Sequence, residues 1–170
     1  MKKIALIMAI SLFGCASLSH KPQGDLTYCS YSCRGAAGLG SDWCELIADV
    51  DSIPKVVVVL DADNRFGDPV IRREYPVERS VADSLAQVLA DAKVYKLDGY
   101  HVEEPICGGH SHRIHMEYSS GDQVTAFWYG SNIKESAWSA YHLIERFFSP
   151  WYNLAQKDKA EAAEEPQTEE

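Results

Sequence analysis

The sequence has little positive charge. It contains 16 lysine and arginine residues against 25 aspartate and glutamate residues, and its formal net charge is −9 at pH 7. Proteins that bind nucleic acids or anionic lipids electrostatically need clustered lysine and arginine side chains. The composition therefore argues against a nucleic-acid partner and against membrane binding through charge.

Motifs of familiar catalytic sites are also missing. The sequence contains no G-x-S-x-G, no H-E-x-x-H and no pair of carboxylates at a catalytic spacing. Gly35, Gly38 and Gly40 lack the following lysine and hydroxyl residue of a phosphate-binding loop, so they predict a flexible loop. A non-catalytic role is the hypothesis that these absences favour.

The apolar stretch at residues 4–13 is too short to cross a membrane as a helix, which takes about 20 residues. It follows Lys2 and Lys3 and precedes the small residue Gly14. A basic start, a short apolar stretch and a small residue are typical of a secretory signal. The sequence therefore predicts export from the cytoplasm.

Residues 12–15, Leu-Phe-Gly-Cys, resemble the lipobox of bacterial lipoproteins. The resemblance implies that residues 1–14 are a signal peptide that is removed. Cys15 would then carry a thioether-linked diacylglycerol and, in many bacteria, an amide-linked acyl chain. Because Ala16 rather than aspartate follows the cysteine, the family's sorting pattern implies attachment to the outer membrane, facing the periplasm. Two or more acyl chains give stable anchoring where one gives only marginal binding.

The remaining sequence predicts one domain between two polar segments. Residues 15–27 form a short lipidated tether, and residues 154–170 form an acidic, disordered tail without large apolar side chains beyond its start. Residues 28–153 are long enough for one hydrophobic core but not comfortably for two.

Apart from Cys15, the chain has four cysteines, at positions 29, 33, 44 and 107. An even number in an oxidising compartment predicts two disulfides, with three possible pairings. If every thiol is paired, Cys107 must bond to Cys29, Cys33 or Cys44. Zinc binding is the alternative, but the spacing lacks a C-x-x-C pair. We therefore expect disulfides to tie the N-terminal segment onto the domain.

The pattern of apolar residues predicts a small α+β domain. Residues 55–60 include four consecutive valines and favour a buried strand, and residues 69–77 favour a second one. A helical stripe of Val81, Leu85, Val88, Leu89 and Ala92 follows Ser80 as N-cap. A second hairpin over residues 114–129 precedes a helix that ends at Pro150. The expected fold is a four-stranded, mainly antiparallel sheet of order ββαββα, with both helices packed on one face.

Histidines provide the sharpest chemical pattern. His110 and His112 would project from the same face of a strand, and two such imidazoles can bind zinc or copper. His115 would point to the opposite face, and His101 on the preceding loop would complete a site if that loop folds back. A periplasmic zinc- or copper-binding protein is thus one hypothesis. Solvated histidines at a strand start are the simpler alternative.

Aromatic residues suggest a second function. Phe127, Trp128 and Tyr129 are consecutive, so a strand must place aromatic surface on both of its faces. Rings that the helices leave uncovered could stack on sugars or on a partner protein, although core packing explains the same residues. The favoured hypothesis is a non-catalytic envelope lipoprotein that binds a protein or glycan partner and needs no cofactor besides its covalent lipid.

Overall fold

A computed structural model describes residues 21–35, 41–60, 70–104 and 109–164, with the backbone alone at 162–164. Its strands and helices are β1 (Leu26–Gly35), β2 (Ser41–Ile47), β3 (Lys55–Leu60), β4 (Ile71–Pro76), α1 (Arg79–Asp91), β5 (His101–Glu103), β6 (His110–Tyr118), β7 (Gln123–Tyr129) and α2 (Glu135–Glu164). A short 3₁₀ helix, Val94–Leu97, links α1 to β5.

The described strands form one seven-stranded sheet in the order β4-β3-β2-β1-β6-β7-β5. All neighbouring pairs are antiparallel except β5 and β7, which run parallel. The expected four-stranded sheet of order ββαββα is therefore wrong. The expectation missed β1, β2 and β5, because the cysteines of β1 and β2 were assigned to a segment tied onto the domain by disulfides.

β1 lies at the centre of the sheet. It pairs with β2 on one side, where Tyr31 faces Cys44, and with β6 on the other, where Tyr31 faces Ile114. Alternate residues of β1 point to opposite faces. Cys29 and Tyr31 are consequently buried in the hydrophobic core. Backbone hydrogen bonds to two neighbours, rather than disulfides, fasten the N-terminal segment to the domain.

The expected disulfides are not found within the described part of the chain, where Cys29, Cys33 and Cys44 are free thiols. Cys29 and Cys33 lie on the same strand, and each is diagonal to Cys44, which faces Tyr31. Diagonal cross-strand neighbours are about 7–8 Å apart, whereas a disulfide requires Cα atoms within about 7 Å. The sheet register therefore separates these thiols. Cys107 lies outside the described residues.

Both helices pack against the same face of the sheet. Leu85 and Leu89 of α1 and Ile144 and Phe148 of α2 are fully buried in the core that the strands line. Trp128 is buried on this face as well. In contrast to the expected helical stripe, Val88 remains 39% exposed, because the face of α1 that meets the sheet centres on Leu85.

Pro150 lies inside α2 rather than at its end. A proline within a helix removes one backbone N–H and leaves the carbonyl four residues earlier without its donor. Here that carbonyl belongs to Arg146, and the hydroxyl of Ser149 donates a hydrogen bond to it at 2.8 Å. The neighbouring serine thus replaces the missing bond, and the helix continues.

The C-terminal half of α2 packs on the edge of the sheet. Ala155 is fully buried, and Asp158 lies 3.5 Å from Arg73 of β4. The ordered helix thus includes residues 154–164, which the sequence assigned to the tail. Arg73 is on the helix side of an edge strand, where an acidic partner makes its charge acceptable.

Replacing Leu85 by alanine should lower the free energy of unfolding by about 2–5 kcal/mol, because it leaves a cavity between α1 and the sheet. Val88→Ala is the matched control on the same helix and should change it by less than about 0.5 kcal/mol. Urea unfolding of both variants measures the difference. Equal losses would contradict this placement of α1.

Candidate functional site

The second face of the sheet carries no helix in the described part of the chain. Residues that are paired across antiparallel strands share a face. One row, crossing four strands, consists of Trp43, Ser32, Arg113 and Phe127. The next row contains Glu45, Ser30, His115 and Thr125. We call this surface the open face.

A trough of about 440 Å³ lies on the open face. Ser30 and Ser32 of β1 and Ser111 of β6 line it with small hydroxyl side chains. Larger side chains flank this line on both sides: Tyr28, Arg34, Trp43, Glu45, Arg113 and Phe127. The trough forms where Ser30 and Ser32, in the middle of β1, lie between the larger Trp43 and Glu45 of β2 and Arg113 of β6.

Arg113 is held at one side of the trough by Phe127. Its guanidinium carbon lies 5.8 Å from the centre of the Phe127 ring. His101 of β5 stacks on the same ring, with 5.0 Å between ring centres. Within the described residues Arg113 has no carboxylate partner. An exposed cation on an aromatic ring is a ready partner for an anion.

The opposite side of the trough is fixed by charged side chains. Arg72 of β4 lies 3.0 Å from Glu74 and reaches 3.7 Å from Glu45 of β2. The Arg72 side chain therefore extends across β3. It covers Val57 and Val59, which are buried although they face away from the helices. The Tyr28 hydroxyl donates to Glu45 at 2.7 Å. Burial raises the pKa of Tyr28 to about 12, so it remains a donor at neutral pH.

A hydroxyl, an imidazole and a carboxylate form a chain on the open face. His115 Nδ1 lies 2.9 Å from Thr125 Oγ1, and His115 Nε2 lies 2.8 Å from Glu117 Oε1. This order matches that of a nucleophile, a base and an orienting acid. However, the Thr125 N–H already donates to Asp98, and the neighbouring backbone groups pair within the sheet. No pair of free N–H groups is thus available here to stabilise an oxyanion.

The structure separates the histidines of the expected metal site. His110 and His112 do share a face, with 6.4 Å between their ring centres. His101 lies on the open face at the far edge of the sheet, stacked on Phe127. Within the described ranges no three His, Cys, Asp or Glu side chains are placed to hold a metal ion. Metal binding by these histidines stays a prediction.

His112 is buried among aromatic rings. It stacks on Trp128 at 5.5 Å and meets the edges of Trp138 and Tyr141 at 4.9 and 4.6 Å. Among the residues that the structure describes, its Nδ1 atom and Trp128 Nε1 have no hydrogen-bond partner. Burial, with a smaller contribution from His110, lowers the pKa of His112 to about 4. His112 is therefore neutral at physiological pH and belongs to the core.

A second cleft, of about 650 Å³, lies between α2 and the ends of β1 and β2. Cys33 and Cys44 line it, and burial raises the pKa of both thiols, that of Cys44 to about 12. Only a thiolate is a good nucleophile or metal ligand, so neither cysteine is activated. Tyr152 donates to Asp42 at 2.6 Å across this cleft. His142 Nδ1 lies 3.1 Å from Glu145 in the same cleft, so several of its polar groups pair with one another.

Sequence reasoning missed most of the trough. The expectation that the aromatic run would reach both faces is correct, since Trp128 is buried in the core and Phe127 lies on the open face. Trp43, Ser32 and Arg113 were not singled out. The period-two alternation of residues 28–33, in which Tyr28, Ser30 and Ser32 alternate with the inward-facing Cys29, Tyr31 and Cys33, is the signal that identifies the strand.

No protein-family model and no curated protein matches this sequence. None of the described helices has the length and apolar composition needed to span a membrane. Arguments about function therefore rest on the chemistry of the residues themselves.

Stability should fall as the pH falls from about 6.5 to 4. In this window the unfolded chain binds a proton at His112 that the folded domain does not, because the folded pKa is about 4 and the ordinary value is 6.5. This difference between the two pKa values corresponds to about 3 kcal/mol in the free energy of unfolding. His112→Phe should remove this part of the pH dependence, as measured by urea unfolding at several pH values.

His101→Phe provides the control, since His101 is exposed and should leave the wild-type pH dependence intact. The pKa of His112 is also affected by the charges of Glu145, His110 and His142. Both variants therefore retain these three residues. A His112→Phe variant with an unchanged pH profile would show that folding does not lower the pKa of His112.

Proposed function

We propose that the protein is a lipid-anchored lipoprotein of the bacterial cell envelope whose domain binds a protein or glycan partner without catalysing a reaction. The resemblance of residues 12–15 to a lipobox supports the anchor at Cys15, which lies outside the described residues. The residue after it, Ala16, favours the outer membrane, facing the periplasm.

The open face is the observation that supports a binding role. Helices cover one side of the sheet, whereas in the described chain the other side presents Trp43, Phe127 and Arg113 around a trough. A sheet holds its side chains at fixed positions, which reduces the entropy lost on binding. Aromatic side chains and arginine are also the residue types that contribute most at binding surfaces.

The chemistry of the described side chains favours binding over catalysis. Burial raises the pKa of the thiols at Cys29, Cys33 and Cys44, and so keeps them protonated. Beside the chain of Thr125, His115 and Glu117, the Thr125 N–H already donates to Asp98 and so is not free to stabilise an oxyanion. A domain that only binds a ligand needs neither a reactive thiolate nor donors for an oxyanion.

Cys15→Ser should abolish incorporation of radiolabelled palmitate and move the protein from the outer-membrane fraction to the soluble fraction. The reason is that the acyl chains, rather than charge, hold this acidic domain at the bilayer. Metabolic labelling and fractionation of an expressing Gram-negative strain measure both effects. Cys33→Ser is the matched control and should keep the label, and a labelled Cys15→Ser protein would disprove the anchor.

A benzophenone amino acid in place of Phe127 should form covalent adducts in living cells on irradiation, because this position borders the trough. The same probe in place of the exposed Val88 on α1 is the control and should form none. Adducts are detected as mass shifts of the affinity-purified protein. Equal labelling at both positions, or none at Phe127, would contradict a binding role for the open face.

A further inference from the structure

We propose that the trough on the open face binds a glycan that carries carboxylate groups. This inference rests on the proposed function and names the chemical class of its ligand. Trp43 would pack against a sugar ring, Arg113 would bind the carboxylate, and the serine hydroxyls between them would bond the sugar hydroxyls.

The dimensions of the trough suit a short oligosaccharide. Trp43 and Arg113 lie in one row on β2 and β6, with Ser32 of β1 between them. Two strand spacings place their backbones about 10 Å apart, which is close to the length of a disaccharide. The volume of about 440 Å³ is within the range of small-ligand sites.

The two sides of the trough have different chemistry. Trp43 is only half-buried and supplies the apolar ring that a sugar face packs against. His101 and Arg113 lie against the ring of Phe127, so this ring positions the guanidinium at the border of the trough. Ser30, Ser32 and Ser111 each supply a hydroxyl that both donates and accepts.

The charge of the trough favours an anionic ligand. Arg113 lines it and has no carboxylate partner among the described residues, although the whole chain has a formal net charge of −9. Its one carboxylate, that of Glu45, accepts a hydrogen bond from Tyr28 and lies 3.7 Å from Arg72. Guanidinium groups bind carboxylates through two parallel hydrogen bonds, which gives both strength and orientation.

A glycan fits this surface better than a protein does. Stable protein interfaces have an apolar core and bury about 800 Å² on each partner. The large apolar side chains that are exposed lie elsewhere, at Val50, Ile53, Val70, Val88 and Leu154. Around the trough the aromatic side chains of Tyr28, Trp43 and Phe127 lie among hydroxyls, arginines and the ion pairs of Lys55, Glu74 and Arg72.

Binding of oligogalacturonate to the full chain, purified in a detergent without sugar groups, tests this inference. The neutral methyl ester of the same oligosaccharide is the matched ligand. The wild-type protein should bind the acidic form at least tenfold more tightly than the ester, as measured by isothermal titration calorimetry. Arg113→Gln should remove this preference, and Trp43→Ala should weaken binding of both forms at least tenfold.

Arg146→Gln changes an exposed arginine of α2 and should leave both affinities unchanged. Trp43→Phe keeps an aromatic ring and should retain part of the affinity, which separates loss of stacking from loss of the fold. Failure of the wild-type protein to bind either form, or equal affinity for both, would overturn the inference. If adducts still form at position 127, the open face would remain a binding surface for another partner; if they do not, the proposed function fails as well.

Discussion

The structure depends on one strand that is paired on both sides. β1 joins the β2–β3–β4 meander to the β6–β7–β5 half, because each residue of its central part faces one residue of β2 and one of β6. Its hydrogen bonds therefore connect the N-terminal third of the chain to residues some 80 positions later. Contacts so distant in sequence cost loop entropy before they form, so this pairing is expected to form late in folding.

The alternation within β1 also gives the sheet its two different faces. Cys29 and Tyr31 point to the helices and complete the core, while Ser30 and Ser32 point away from them. Small side chains at the centre of the open face and large ones on β2 and β6 produce a concave surface. Alternate residues of β1 thus complete the hydrophobic core on one side of the sheet and line the trough on the other.

Parts of this arrangement follow from the sequence. The four valines of β3, the β6–β7 hairpin and the two helices were expected from their apolar periodicity. β1 and β2 were missed because their cysteines suggested a disulfide-rich loop, and that interpretation hid a clear alternation of inward and outward residues. The end of α2 was misplaced because the bond from Ser149 to Arg146, which offsets Pro150, depends on side-chain orientation. The trough was not predicted because it depends on the order of the strands in the sheet. That order is set by long-range pairing, which local sequence patterns do not encode.

The burial of two cysteines means that their oxidation is easier before folding than after it. Thiol–disulfide exchange requires an accessible thiolate, and in the folded domain Cys29 and Cys44 are fully buried with their pKa values raised to about 12. In the unfolded chain the same thiols are open to oxidants. A bridge formed at that stage would oppose the register in which Tyr31, rather than a cysteine, faces Cys44. Pairing of β1 within the sheet therefore buries both cysteines and limits the access of an oxidant to their thiols.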